Sequence, residues 1–250
     1  MARAASRAGG LCAEFRMRDT SLVRARTAVG ARLPAPASVV IEALAPMLTG
    51  ARRARIEQVV AQRVGSVVVG VERLGDPHNA AAILRSADAF GVQQVHAIEA
   101  LGGVVPAPRV AKGTQHWIDV VKHPSACACA DVLEELGFEL FVADPEGELD
   151  LAQLCSRPRV AVMFGNEHAG ASKELRARSH GSFAIPMRGF VTSLNVSVAA
   201  AIALSRLTAS RPGDLGLHEQ QELTARFMMV SVRDALGAIQ RHLERTGEHG

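Results

Sequence analysis

From Ile185 to Thr208 the chain passes from a short β-rich run, through a loop carrying Gly189, Ser193 and Asn195, into a helix-length segment without a wide polar face. Val196, Val198, the alanine-rich stretch around Ile202, Leu204 and Leu207 place apolar side chains on all sides of that helix, so it must be covered from several directions. Asn195 stands where an N-cap belongs, and Gly189 relaxes the backbone ahead of it. A strand that empties into such a loop before a buried helix is a layout that points to a ligand.

From residue 66 onward β-rich runs alternate with helical ones. Strands are predicted at Val67–Val71, Val92–Ile98, Ile118–Val121, Glu139–Ala143, Val160–Phe164 and Phe183–Ile185. Helices are predicted at Ala80–Phe90, capped by Asn79, and at Ala126–Leu136, Ser172–Arg178 and Val196–Leu207. This alternation defines an α/β fold with a mostly parallel sheet and helices on both faces, and ligands of such sheets sit beyond the carboxyl ends of the strands. Residues 99–115, richer in Gly, Pro and Thr, read as a long connection within reach of substrate. Two short helices are expected within 38–63, and one or two packing helices within Leu217–Leu243. The expected organisation is a basic, flexible extension over 1–36, amino-terminal helices over 37–64, the main domain over 65–210 and a carboxyl-terminal helical segment over 211–250.

No apolar run reaches the ~18–20 residues of a membrane span, so no membrane association is expected. The four cysteines show neither a paired zinc spacing nor the density of a secreted disulfide scaffold, and read as free thiols in a reducing compartment. Without a His-Glu-x-x-His pattern among the nine histidines, no metal is expected either. The formal charge of +3 is unevenly placed: residues 1–63 hold eleven Arg, no Lys and four acids. A basic arm on a mildly acidic body suits a polyanionic partner, because each neutralised phosphate releases counterions. The same first 34 residues also read as a solvated Arg/Ala tail, as an organelle transit peptide or as the product of a start site ahead of a true one at Met17.

Gly165-Asn-Glu-His-Ala-Gly170-Ala-Ser172 has the glycine spacing of a P-loop but carries Ala171 where that motif needs Lys, which removes the main charge partner for phosphoryl transfer. What remains is a strand-to-helix turn whose glycines let the backbone approach a flat ligand.

Three segments in chain order resemble the signatures of the SpoU/TrmH family of RNA ribose 2'-O-methyltransferases. They are Asn79-Ala-Ala-Ala-Ile-Leu-Arg85, Phe164-Gly-Asn-Glu-His-Ala-Gly170 and the stretch from Pro186 to Ser197, which matches Pro-Met-x-Gly-x-x-x-Ser-Leu-Asn-Val-Ser. The resemblance covers roughly residues 52–210. It implies a carboxyl-terminal trefoil knot, which periodicity cannot foresee, and S-adenosylmethionine as cofactor. By the same resemblance Gly165, Ile185, Met187, Leu194 and Ser193 meet the cofactor, as does Asp144 at a position where many relatives carry Thr.

The resemblance further assigns catalytic work to Arg85, Asn79, Glu167, Ser193 and Asn195. Arg85 is expected to grip the phosphate beside the target ribose and orient the 2'-hydroxyl. Asn79 is expected to fix Arg85 or the cofactor carboxylate, and Glu167 to orient the second loop or neutralise the sulfonium. The implied partner is RNA, with transfer RNA and its D-loop guanosine favoured and ribosomal RNA the alternative. A homodimer formed through the apolar helix and a cytoplasmic location complete the expectation. The rival from another class is an RNA-binding module that keeps the fold without the reaction.

Overall fold

The computed structural model describes residues 33–98, 113 and 116–247. The basic extension, Met17 and nearly all of the 99–115 connection lie outside the described residues.

One seven-stranded sheet organises the chain, and every pairing in it is parallel. Its strands are β1 (Val67–Glu72), β2 (Gln94–Ile98), β3 (Asp119–His123), β4 (Glu139–Ala143), β5 (Leu149–Asp150), β6 (Val160–Phe164) and β7 (Gly181–Ala184), in the order β3-β2-β1-β6-β4-β7-β5. The intervening helices are α3 (Pro77–Ala89), α4 (Ala126–Glu135), α5 (Leu151–Cys155), α6 (Lys173–Arg178) and α7 (Val196–Thr208), preceded by α1 (Ala37–Leu44) and α2 (Gly50–Ala61).

Both sheet faces are covered, as the continuous Val/Ile/Leu runs require of a parallel sheet. Because side chains alternate along a strand, Val67, Val69 and Val71 pack with Ile83 and Leu84 of α3 and with Leu204 and Leu207 of α7. Val68 turns the other way, into a cluster with Cys129 and Leu133 of α4 and Leu175 of α6. On this second face Gly70 has no room for a side chain: a Cβ there would collide with the Met163 thioether. Leu204 and Leu207 are fully buried, and burial of this kind stabilises the fold by roughly 1.5–3 kcal/mol per side chain.

The first and last described helices meet in a separate apolar cluster. Helices α8 (Leu217–Ser231) and α9 (Ala235–Thr246) pack on α1 and α2 through Val40, Leu44, Ile56, Val60, Phe227 and Ile239. Arg211 ties this end to the sheet with all five of its N–H groups. They donate to the Leu207, Pro158, Cys155 and Arg157 carbonyls and to Ser66 Oγ, at 2.6 to 3.3 Å.

The structure corrects the sequence reading at several points. Helix α3 is capped by Asp76, whose side chain accepts from His78 N–H, and not by Asn79. Pro77 lacks an amide hydrogen and is best placed in the first turn, which moves the start forward and leaves Asn79 inside the helix. Strand β7 ends at Ala184, one residue before the expected limit. The short β5 and α5 were not expected, being too brief for periodicity. Their signal is the capping box at Asp150 and Gln153. Cys129 and Cys155 are free thiols. Among the described residues, no helix is long and apolar enough to cross a membrane.

His96 and His123 stack between β2 and β3, with Nδ1 of His96 2.9 Å from Nε2 of His123. Burial, then the neighbouring ring, pushes the His96 imidazole down to about 3, and burial pushes His123 down to about 4. The buried Cys129 thiol beside them is pushed up to about 12, by burial and then by Glu72. All three groups are therefore neutral near pH 7, and one ring donates while the other accepts.

Arg211→Ala should lower unfolding free energy by about 3 kcal/mol, with an unchanged denaturant slope in urea titration. The histidine pair sets a pH dependence. The unfolded chain takes up protons at these histidines below their ordinary value of 6.5, where the folded rings stay neutral. Stability should thus fall as pH drops from about 6.5 towards 4, and His96→Leu with His123→Leu should flatten that limb.

Candidate active site

The three motif loops leave the sheet at the same carboxyl edge, after β1, β6 and β7. Glu167 joins two of them. Its Oε1 accepts from Asn79 Nδ2 at 2.9 Å and Asp76 N at 3.3 Å, and its Oε2 from Gly75 N at 2.9 Å and Asn166 Nδ2 at 3.4 Å. Burial pushes this carboxyl up, but the hydrogen bonds from Gly75, Asn79 and Asp76 outweigh it and hold it below the ordinary Glu value. Asn79 passes the connection on: its Oδ1 accepts from Asn195 Nδ2 at 3.0 Å. Asn195 also caps α7, its Oδ1 accepting from Ser197 N at 2.8 Å.

Asn79, Glu167 and Asn195, one residue from each motif, thus form one hydrogen-bonded chain. The carboxylate is engaged in orienting the loops. In this structure the Asn79 amide pairs with Glu167 and Asn195.

The β6 turn is built tightly. Asn166 and Gly170 bridge back to back, and Asn166 Oδ1 receives the His168 and Ala169 amides. Asn166 Nδ2 reaches the carbonyl of Arg73, a residue held at φ +51°. Gly170 sits at φ +67°, and at Gly165 a Cβ would run into the Gly170–Ala171 backbone. Buried Glu72 accepts from Ser172 N at 2.8 Å and fixes the far end of the turn. Asn166 was inside a quoted motif but carried no expected role, and Glu72 gave no sequence signal beyond being a charge at the end of an apolar strand.

Ile185, Met187 and Leu194 are half-buried, while Ser193 is exposed. From Pro186 to Leu194 the backbone makes no hydrogen bond among the described residues. Such unpaired amides and carbonyls beside half-buried apolar side chains suit a ligand with an apolar body and several polar groups. Asp144, after β4, accepts from Glu146 N at 2.9 Å and pairs with Arg176 Nη1. Those two contacts, in that order, hold its carboxyl below the ordinary Asp value.

Arg85 stands apart. At 3.6 residues per turn it lies about 120° around α3 from Asn79, is exposed, and has no hydrogen bond or ion pair among the described residues. A cavity of about 910 Å³ opens at the opposite, amino edge, lined by Ser66, Gln94, Asp119 and Arg159 among others, and none of the motif residues reaches it.

The fold is shared with RNA-modifying enzymes. The A. aeolicus TrmH/SpoU tRNA modifying enzyme superposes with a TM-score of 0.65 at 24% identity, over 73% of this chain and 97% of that one. The SpoU methyltransferase AviRb from Streptomyces viridochromogenes, crystallised with AdoMet, gives 0.54 at 26% identity, over 60% and 61% of the two chains. A tRNA (guanosine(18)-2'-O)-methyltransferase of Thermus thermophilus is 38% identical over 189 residues, 75% of this chain and 97% of that protein. The class defined by fold and site is that of the α/β methyltransferases with a parallel sheet. Residues 66–205 match the SpoU rRNA Methylase family, and the chain belongs to it.

Gly165→Ala tests the turn. The added methyl should cost about 1–3 kcal/mol of stability and at least tenfold in S-adenosylmethionine affinity, measured by calorimetry on folded protein.

Proposed function

We propose that this protein transfers a methyl group from S-adenosylmethionine to a ribose 2'-oxygen of RNA, with the D-loop guanosine of transfer RNA as the favoured target. The observation that carries the reading is the Asn79–Glu167–Asn195 chain, which draws the three family motifs together at the edge where a parallel sheet binds ligands. The Thermus relative, similar over three quarters of the chain, favours transfer RNA. Ribosomal RNA is the second reading, favoured by the family's own description.

When bound, the cofactor supplies an electrophilic methyl group on a sulfonium. Backbone groups at Gly165, Ile185, Met187 and Leu194, with Ser193 and Asp144, hold it in the crevice. Asn79, Glu167 and Asn195 keep the crevice loops in register. A guanidinium stays protonated throughout the physiological range, so Arg85 is not itself the base. It grips the phosphate beside the target ribose, orients the hydroxyl and offsets charge as the proton passes to that phosphate.

Two features of the reading concern architecture. The carboxyl-terminal segment threads a preceding loop as a trefoil knot within a domain spanning 65–210, flanked by helical segments over 37–64 and 211–250 and by the basic arm over 1–36. A second copy covers the outer face of α7, where Val198 and Ile202 are exposed beside Phe190 and Val191 of the preceding loop. The reaction belongs to the cytoplasm, where the RNA is found.

Incubation with labelled cofactor and unmodified transfer RNA should label a ribose 2'-oxygen. Arg85→Ala should reduce kcat at least roughly 100-fold, with cofactor binding retained. Uptake that survives the substitution removes the role given to Arg85. RNA binding without uptake by the wild type would leave an RNA-binding module on the same fold.

A further inference from the structure

Arg176 was not singled out by any motif, yet it bridges two loops of the crevice. From α6 its Nη1 reaches Asp144 Oδ2 on the turn after β4, and its Nε reaches the Ala171 carbonyl at 3.3 Å on the turn after β6. Its Nη2 lies beside Gly170, 3.7 Å from where a Cβ would stand. Strands β4 and β6 are neighbours in the sheet, so one guanidinium spans the gap between their carboxyl ends.

Among the described residues, the β4 turn is otherwise held from within and from β7, and the β6 turn from within and from the β1 side. Asp144 Oδ1 takes the Glu146 amide, Asp144 N donates to the Phe183 carbonyl, and Gly147 N returns to the Asp144 carbonyl at 3.0 Å. Gly147 lies so close to Phe183 and Ala184 that a Cβ would meet their backbone. The β6 turn is closed by Asn166 and Gly170. Among the described residues, the side-chain link between these two turns is the Arg176 fork.

The Arg176 and Asp144 side chains are 43% and 22% exposed. Ion pairs that exposed contribute little to folding, so the consequence of this one lies in what it positions. A planar fork holding a carboxylate and a carbonyl at once sets their separation, which a point-charge ammonium cannot do.

We propose that Arg176 is a positioning residue for the methyl donor: by bridging Asp144 and Ala171 it sets the width of the crevice between the β4 and β6 turns. It acts through those two groups and touches no reacting atom. The inference rests on the reading of the crevice as an S-adenosylmethionine site.

The test uses the full chain. Equilibrium binding of S-adenosylmethionine and of S-adenosylhomocysteine is measured for wild type, Arg176→Ala, Arg176→Lys and Asp144→Asn, alongside melting temperature and steady-state methyl transfer. Arg176→Ala should weaken binding of both ligands about tenfold and raise KM for the donor correspondingly, with kcat within about twofold and an unchanged melting temperature. Arg176→Lys should recover only part of the loss, and Asp144→Asn combined with Arg176→Ala should cost less than the sum of the two separate losses. Wild-type affinity in Arg176→Ala, or full recovery by Lys, overturns the bridging role. A wild type that binds neither ligand overturns the cofactor reading instead, and the two failures are thereby separated.

Discussion

One carboxylate holds the working edge of this protein together. Glu167 receives donors from the turn after β1, from the first turn of α3 and from its neighbour Asn166. An ionised, partly buried carboxylate left without these partners would be costly. The three segments are therefore obliged to meet around it, and its lowered pKa records the same fact from the other side. Asn79 then extends the link to Asn195, so the position of the α7 amino terminus depends on a carboxylate that belongs to a different motif.

The buried sides of α7 keep that terminus in place. The helix packs against α3 and α5 as well as against the sheet, and a helix held so firmly gives Asn195 a fixed origin from which to reach Asn79. Arg211 fastens the other end of the helix to the start of β1 and to the α5–β6 connection. The Pro186–Leu194 segment runs from β7 into this helix fastened at both ends, and so leaves its backbone unpaired among the described residues without loosening the fold.

Much of the fold could be read in advance because periodicity and burial agree. Val67–Val71 and Val160–Phe164 are continuous apolar runs that only a sheet covered on two faces accommodates, and both lie where expected. The start of α3 was misread because Asn79 is as good a cap as Asp76 by residue type, and only the proline between them decides. The motif residues Asn79, Glu167 and Asn195 were legible, but their mutual bonds were not, because pairs 88 and 116 residues apart leave no local trace. Arg176 was hidden for the same reason: on a short helix a basic residue near the carboxyl end is expected on dipole grounds alone.

The separation of Arg85 from the Asn79–Glu167–Asn195 chain divides the site into two kinds of group. The asparagines and Glu167 satisfy one another, so they are set before any ligand arrives and cost little reorganisation when one binds. Arg85, exposed and without a protein partner among the described residues, is solvated and keeps its donors available. On the function proposed above, a phosphate backbone takes them with the bidentate geometry a guanidinium matches. On that proposal, the cofactor side of the site is built by folding, and the nucleic-acid side is completed on binding.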